Sequence, residues 1–306
     1  MADIQPFRAL RPKLAFAKQV ASPPYDVLSS AEAKKEAEGK PYSFLHITKS
    51  EIDLPENIDT HSQEVYDKAK QNLDHFIHDG VLARDAKPCY YIYQLVMNQK
   101  SQTGLVCVSS INDYEKGIIK KHELTRPDKE LDRINHIKTT GAQTGNVFLA
   151  YKSEESIHKT IEDWKASHHP EYDFAAPDGI QHIIWVLDDP ATIDRLTNSF
   201  QSKVPFTYIA DGHHRAASAA KVRAALGAAA GPGSNYFLTT LFPSDQLHIL
   251  DYNRVVKDMN GLTEEELLSL IGKDFLVGKV DHSFSPQRLH EFGLYMNGNW
   301  YELVAK

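Results

Sequence analysis

The sequence predicts a mixed α/β fold of the α+β kind, and three observations predict it. β-Leaning and helix-forming segments alternate through the middle of the chain. Their spacing does not repeat as a regular βαβ series, which argues against a Rossmann arrangement, and neither GxGxxG nor a Walker A motif occurs. One apolar run, Pro205 to Ala210, passes straight into Asp211-Gly212 and then into an Ala-rich segment, which reads as strand, tight turn, helix.

Prolines punctuate the chain to about Tyr42. Ser22-Pro23-Pro24-Tyr25-Asp26-Val27 reads as a stiff extended loop, because each residue before a proline is pushed out of the helical region. Ser29 or Ser30 caps a short helix through Glu38, and Gly39 stops it. The polar stretch Thr48 to Thr60 reads as a loop. Val65, Ala69, Leu73, Phe76 and Ile77 recur at helical spacing and predict an amphipathic helix ending at Gly80. Tyr90 to Met97 and Leu105 to Ile111 predict a hairpin joined by Asn98 to Thr103. Lys120 to Lys138 is charged and helix-prone, and Asn146 to Tyr151 is a short buried strand. A helix at Glu154 to Ser167, a strand at His182 to Leu187 and a helix at Pro190 to Phe200 follow. Beyond the central junction come a small-residue loop, Gly227 to Ser234, and strands at Tyr236 to Phe242 and Leu247 to Leu250. Thr263 opens a helix with Glu266 at the capping-box position. Asn297-Gly298 turns a hairpin within Leu294 to Val304. No internal repeat and no long low-complexity linker occurs.

At 306 residues the chain is long enough for a sizeable core and one or two domains. Its 34 basic against 41 acidic residues give a net charge of −7, which argues against a general nucleic-acid binder. No apolar run approaches the roughly 20 residues needed to span a membrane. Met1-Ala2-Asp3-Ile4-Gln5-Pro6 lacks the basic and apolar regions of a signal peptide. Cys89 and Cys107 fall in apolar strand-like segments and read as reduced, buried thiols, so a cytoplasmic location is expected. A disulfide between them is conceivable, but nothing demands one.

The junction Asp211-Gly212-His213-His214-Arg215 sets one acid, one glycine, two imidazoles and one guanidinium in five residues. Gly212 lets the backbone turn sharply and lets a ligand approach it. The first turn of the next helix offers free N–H groups and the positive end of a dipole, which suits an anion. Arg215 adds a bidentate grip on phosphate or carboxylate. The bland alternative is Asp211 as a helix cap, worth about 1 kcal/mol, with both histidines in solvent.

A second constellation is Lys120-Lys121-His122-Glu123-Leu124-Thr125-Arg126. Glu123 could act as general base for a substrate hydroxyl or as a ligand to Mg²⁺. Lys121 and Arg126 could neutralise a transferred phosphoryl group, and phosphoryl transfer needs mainly positioning and charge stabilisation. Asp128 to Arg133 reads instead as a solvated face of helical ion pairs. Asp26 either faces the site or bonds its own turn, Asn253 and Arg254 are weaker candidates for substrate contacts, and His168-His169 reads as surface. A zinc reading could draw on His213, His214, His122 and Glu123. Adjacent histidines on a turn point different ways, however, and neither Cys-x-x-Cys nor His-Glu-x-x-His occurs, so no protein-held metal is expected.

Phe7-Arg8-Ala9-Leu10-Arg11-Pro12, Ala21-Ser22-Pro23-Pro24-Tyr25-Asp26-Val27, Lys121-His122-Glu123-Leu124-Thr125 and Ala210-Asp211-Gly212-His213-His214-Arg215 together resemble a bacterial and archaeal family designated only as a domain of unknown function. The resemblance runs in order over essentially the whole chain and implies no activity. Members of that family run on past the position of Lys306, so a further C-terminal segment is one expectation. Asp211-Gly212-His213-His214-Arg215 also looks like the phosphate-binding turn of the ParB/sulfiredoxin-like superfamily, whose free-serine kinases carry an Asp-Gly-His-His-Arg turn. Sulfiredoxins carry Gly-Cys-His-Arg there, and His213 in place of that cysteine disfavours their peroxide chemistry. This second resemblance covers only a core of the chain. It implies that His214 and Arg215 bind nucleotide phosphates above Gly212 and the helix N-terminus. The kinases deprotonate serine with a carboxylate, a role that the local chemistry here gives to Glu123.

The expected organisation is therefore an N-terminal α/β region (1–115), a ParB/sulfiredoxin-like phosphate-binding core (116–260) and a C-terminal helix and hairpin (261–306). The expected activity is nucleotide-dependent phosphoryl transfer, with ATP or ADP and Mg²⁺, to a small hydroxyl metabolite, free L-serine first. Glu123, Asp211 and His213 are the expected catalytic residues, with Asp211 orienting a histidine or a Mg²⁺-bound water. Gly212, His214, Arg215, Lys121, His122, Thr125 and Arg126 are the expected binding residues. Neither nucleic acid nor membrane is an expected partner. The rivals are a nucleotide-binding regulator that transfers nothing, and a phosphoserine phosphatase.

Overall fold

The computed structural model describes residues 1–248 and 250–306. The chain forms two compact units, Met1–Leu247 and His248–Lys306.

The first unit opens with β1 (Ile4–Gln5), β2 (Leu10–Pro12) and the short α1 (Ala17–Val20). Then come α2 (Ser30–Ala37), α3 (Leu45–Thr48), α4 (Gln63–His78) and β3 (Leu82–Arg84). Ser29 accepts the Glu32 N–H while Glu32 accepts the Ser29 N–H, a capping box that starts α2. Val65, Tyr66, Ala69, Leu73 and Phe76 are the buried face of α4, as its spacing predicts. Ile77 shares the spacing but is exposed. Within the polar stretch Thr48 to Thr60 a single turn, Ser50–Asp53, is helical.

Next come β4 (Tyr90–Met97), β5 (Lys100–Ser110), α5 (Ile111–Glu115), β6 (Ile119–Lys120) and α6 (Pro127–Thr140). The β4–β5 hairpin is tighter than its sequence suggests: Asn98 and Gln99 alone make the turn, at φ 50° and 64°. Two successive positive φ values match the right-handed twist of the flanking strands. The rest of the unit is β7 (Val147–Tyr151), α7 (Glu155–Ser167), β8 (Tyr172–Ala175), β9 (Gln181–Leu187), α8 (Pro190–Lys203), β10 (Thr207–Asp211), α9 (His213–Leu226) and β11 (Tyr236–Pro243).

Among the described residues these strands make a nine-stranded sheet in the order β6-β10-β7-β11-β5-β4-β9-β8, with β1 also paired to β5. β10–β6 and β11–β7 are parallel and the other pairs antiparallel, so the α+β expectation is met. Helices α7, α8 and α9 pack Ile157, Ile161, Leu196, Phe200, Ala216 and Ala219 against Tyr90, Ile92, Leu105, Leu149, Tyr151 and Leu241 of the sheet. A separate apolar cluster, Val20, Ile47, Leu73, Phe76, Val81 and Leu82, holds the N-terminal helices together. Cys89 and Cys107 are buried and unpaired, and burial pushes the Cys107 thiol up to about 12.

The second unit holds α10 (Glu264–Ile271), β12 (Phe275–Val280), β13 (Glu291–Met296) and β14 (Asn299–Ala305), with the strands in the order β12-β14-β13. Thr263 and Glu266 form the expected capping box, and Asn297 and Gly298 turn the hairpin at φ 49° and 83°. Tyr301 and Leu303 pack with Met296 under Leu267 and Leu268 of α10. The expected strand at Leu247 to Leu250 is not formed by Leu247, His248 or Leu250, and Ile249 lies outside the described residues. Among the described residues no helix is long and apolar enough to cross a membrane.

Candidate functional site

The Asp-Gly junction folds as its sequence implies. β10 delivers Asp211, Gly212 turns at φ 96°, and α9 begins at His213. Only glycine takes such a φ without strain. A Cβ at Gly212 would also stand 3.3 Å from the Val147 Cα, so the turn is pressed against β7. The register of β10 against β7 shifts by one residue between Ile209 and Asp211, a bulge that re-aims Asp211 at the end of the strand.

No side chain caps α9 at Gly212. The first intrahelical bond runs from the Ala216 N–H to the Gly212 carbonyl at 3.0 Å. The N–H groups of His213, His214 and Arg215 precede it and have no intrahelical carbonyl to bond, because the residues four back belong to β10. Gly212, His213, His214 and Arg215 line one cleft of about 470 Å³ together with Asp211, Glu123 and Arg126. Free amide donors and a positive helix end at a cleft wall suit an anion.

The two histidines of the junction diverge, as residues on a helix start must. His213 turns inward and is 4 % exposed, and burial holds its pKa below the ordinary value against the pull of Glu123. Its Nδ1 lies 3.3 Å from Glu123 Oε2, and its Nε2 accepts the His122 N–H at 3.4 Å. The His122 ring meets it edge-to-face with centroids 4.5 Å apart. His214 turns the other way, and its Nε2 accepts the Arg126 N–H at 3.0 Å. The 120–126 segment is therefore folded onto the junction by both imidazoles.

Arg215 is less available than its sequence suggests. Its guanidinium donates to the Asn146 carbonyl, to Asp211 Oδ2 at 2.7 Å and, at 3.4 Å, to Asp26 Oδ2. It thereby ties the segment after Pro23-Pro24 to the turn; Tyr25–Val27, expected to be extended, form a single 3-10 turn there, and Asp26 faces the site. Thr125 points away from the cleft and donates to Glu130, a buried carboxylate that also pairs with Lys221. Lys121 also leaves the site, with its ammonium 3.6 Å from the centroid of the Tyr114 ring. Arg126 stays at the cleft and pairs with Asp128 at 2.7 Å. Asn253 and Arg254 belong to the second unit, where Arg254 packs on Tyr252. His168 and His169 are exposed, as expected.

Apart from Tyr25, the rest of the cleft lining came with no motif. It comprises Tyr25, Lys49, Glu51, His61, Tyr66, Lys129, Asp132 and Arg133. Reading Asp128 to Arg133 as a solvated face fails at three positions. Glu130 is 4 % exposed, and the Asp132 and Arg133 side chains are also largely buried. Asp132 accepts from Arg133 at 2.7 Å, from the Tyr66 hydroxyl at 3.0 Å and faces His61 at 3.2 Å. Burial pushes its carboxyl up, but Arg133, Tyr66 and His61 together hold it below its ordinary value. The Arg133 guanidinium lies 4.2 Å from the centroid of the Tyr25 ring. Carboxylates (Asp26, Glu51, Glu123, Asp132, Asp211) and cations (Lys49, Arg126, Lys129, Arg133, Arg215) thus both line the cleft. His122, Glu123 and His213 can also present one ligand atom each within 4.8 Å of one another, and His214 stays outside that group.

The sequence profile of a family described as "Protein of unknown function (DUF1015)" matches residues 4–306, and the chain belongs to that family. No curated protein and no solved structure matches it.

Proposed function

Taking membership of a family with no assigned activity as the premise, we propose that this protein is a nucleotide-dependent phosphotransferase acting on a small hydroxyl metabolite, with free L-serine the leading acceptor. One observation carries the reading: the uncapped start of α9 opens into a cleft whose wall also holds the Glu123–His213 pair. Phosphoryl transfer asks for positioning and charge stabilisation more than for covalent chemistry. In this reading the amides of His213, His214 and Arg215 receive phosphate oxygens, and Arg126 and Lys129 add positive charge. Asp26 and Asp211, aligned by Arg215, orient the water shell of the nucleotide-bound Mg²⁺. Glu123, held beside His213, accepts the proton of the acceptor hydroxyl. The resemblance of Asp211-Gly212-His213-His214-Arg215 to the free-serine-kinase turn supports a nucleotide as donor and serine as the first acceptor to try.

Phosphorus NMR tests this directly. The purified chain is incubated with Mg²⁺, L-serine and ATP, ADP or CTP in turn, beside a tube of O-phosphoserine alone. A new phosphoserine signal supports the kinase. Free phosphate from O-phosphoserine replaces it with the phosphatase. Nucleotide binding with no transfer to any of a panel of hydroxyl metabolites replaces it with a nucleotide-gated regulator.

A further inference from the structure

We propose that His122, Glu123 and His213 form a protein-held site for a borderline divalent transition-metal ion, of the Zn²⁺ or Co²⁺ class. Their ligand atoms gather within 4.8 Å of one another, although they come from a loop and from the start of α9. The 3.3 Å between His213 Nδ1 and Glu123 Oε2 matches the edge of a tetrahedral site, about 3.4 Å for metal–ligand bonds of about 2.1 Å. His213 is fixed by burial, while His122 and Glu123 are exposed and free to close on an ion. Two imidazoles and one carboxylate select zinc-like ions over Mg²⁺, which prefers an all-oxygen shell. Three protein ligands leave further coordination positions open, and Glu123 and His213 both line the cleft, so those positions face it.

The ion's binding stands apart from the phosphotransferase reading, but its consequence rests on that reading. A metal there would engage the carboxylate assigned as proton acceptor, so Zn²⁺ and turnover would oppose each other. Loading has a second signature. An ion on Nδ1 leaves the ring proton on Nε2, where the His122 amide now donates across 3.4 Å. That amide must turn away, and its resonance must move.

The probe is Co²⁺ alone, titrated without nucleotide into the full chain after chelator treatment. One equivalent should bind with the intense visible bands of a low-coordinate cobalt ion, and the His122 amide signal should shift in the Zn²⁺-loaded protein. His122→Gln and Glu123→Gln, both exposed positions, should each weaken binding by at least the ~10–100-fold that loss of a mere supporting residue costs. His169→Gln, an exposed histidine outside the site, should not. Absence of saturable binding, or unchanged binding in both site variants, overturns the proposal. Serine phosphorylation by Mg²⁺-nucleotide in a chain that ignores Co²⁺ would defeat this inference alone. Cobalt binding in a chain that transfers nothing would defeat the functional reading alone.

Discussion

The Arg215 guanidinium lies 2.7 Å from Asp211 and also reaches Asp26 at 3.4 Å, although Asp26 stands 189 positions earlier in the chain. The contact joins the segment after Pro23-Pro24 to the turn that opens α9. In the phosphotransferase reading it also offsets the charge of Asp26 and Asp211, which would otherwise oppose an incoming phosphate. We predict that Arg215→Ala weakens nucleotide binding by about tenfold to a hundredfold, on the scale of one charge-assisted hydrogen bond at ~1.5–3 kcal/mol. Arg215→Lys should recover only part of this, since a compact ammonium lacks the planar fork that spreads the donors of Arg215 over Asn146, Asp211 and Asp26. Calorimetric titration with Mg²⁺-nucleotide checks it, and wild-type affinity in the alanine variant would remove Arg215 from the site.

Gly212 is held by conformation and by space together. Its φ of 96° disfavours any side chain, and a Cβ there would stand 3.3 Å from backbone of β7, which cannot rotate away. Gly39 has a φ of 69° but open space around its Cβ position. Gly212→Ala should therefore cost about 1–3 kcal/mol through strain, and each kcal/mol should lower the melting temperature by ~2–4 °C in a unit of this size. Gly39→Ala should cost visibly less. Paired thermal melts decide it; equal losses would mean that the close approach to Val147 is relieved cheaply.

His136 gives the fold an acid limit. It is 3 % exposed, its Nε2 donates to the Ile47 carbonyl at 2.9 Å, and burial holds its pKa down at about 4. The unfolded chain takes up this proton near pH 6.5. Between those values the unfolded state binds more protons, so the stabilisation present above pH 6.5 is lost as pH falls toward 4, on the order of 3 kcal/mol in all. Urea midpoints measured from pH 7.5 to 4.5 should fall, and His136→Gln should flatten the upper part of that slope. An unchanged slope would place the acid sensitivity in other groups.

The elements that carry the junction were legible because their signals are local. Glycine at a required positive φ, a capping box at Thr263 and apolar spacing in α4 each act within a turn or two of chain. The rest of the cleft lining was not legible, because Lys49, Glu51, Tyr66 and Arg133 carry no spacing that announces them and meet only through tertiary packing. The same limit hides which imidazoles meet. His213 and His214 are neighbours in sequence and diverge, as expected of adjacent histidines on a turn, whereas folding brings His122 onto His213 across 91 positions. The motif offers Arg215 to a ligand, whereas its guanidinium also bonds Asp26 and the Asn146 carbonyl, neither of which lies in the junction. The β10 bulge has no signature at all in Tyr208-Ile209-Ala210.

In the proposed reading, Glu123 is the residue that separates a cleft that does chemistry from one that only binds. Its side chain remains 59 % exposed while His213 stays buried beside it, so one partner is anchored and the other can meet a substrate. A carboxylate so placed can take a hydroxyl proton in the transition state, a contribution of ~10²–10⁴-fold in rate. We predict that Glu123→Gln lowers turnover within that range and shifts nucleotide affinity by less than about threefold, because a base that acts only in the transition state adds little to ground-state binding. Steady-state transfer rates and nucleotide titrations measure the two effects separately. The variant also separates a base from a metal ligand. If transition metals are first stripped and only Mg²⁺ is returned, a true base leaves the defect undiminished. A defect that disappears on stripping would mean that Glu123 acts through an ion it holds with His122 and His213.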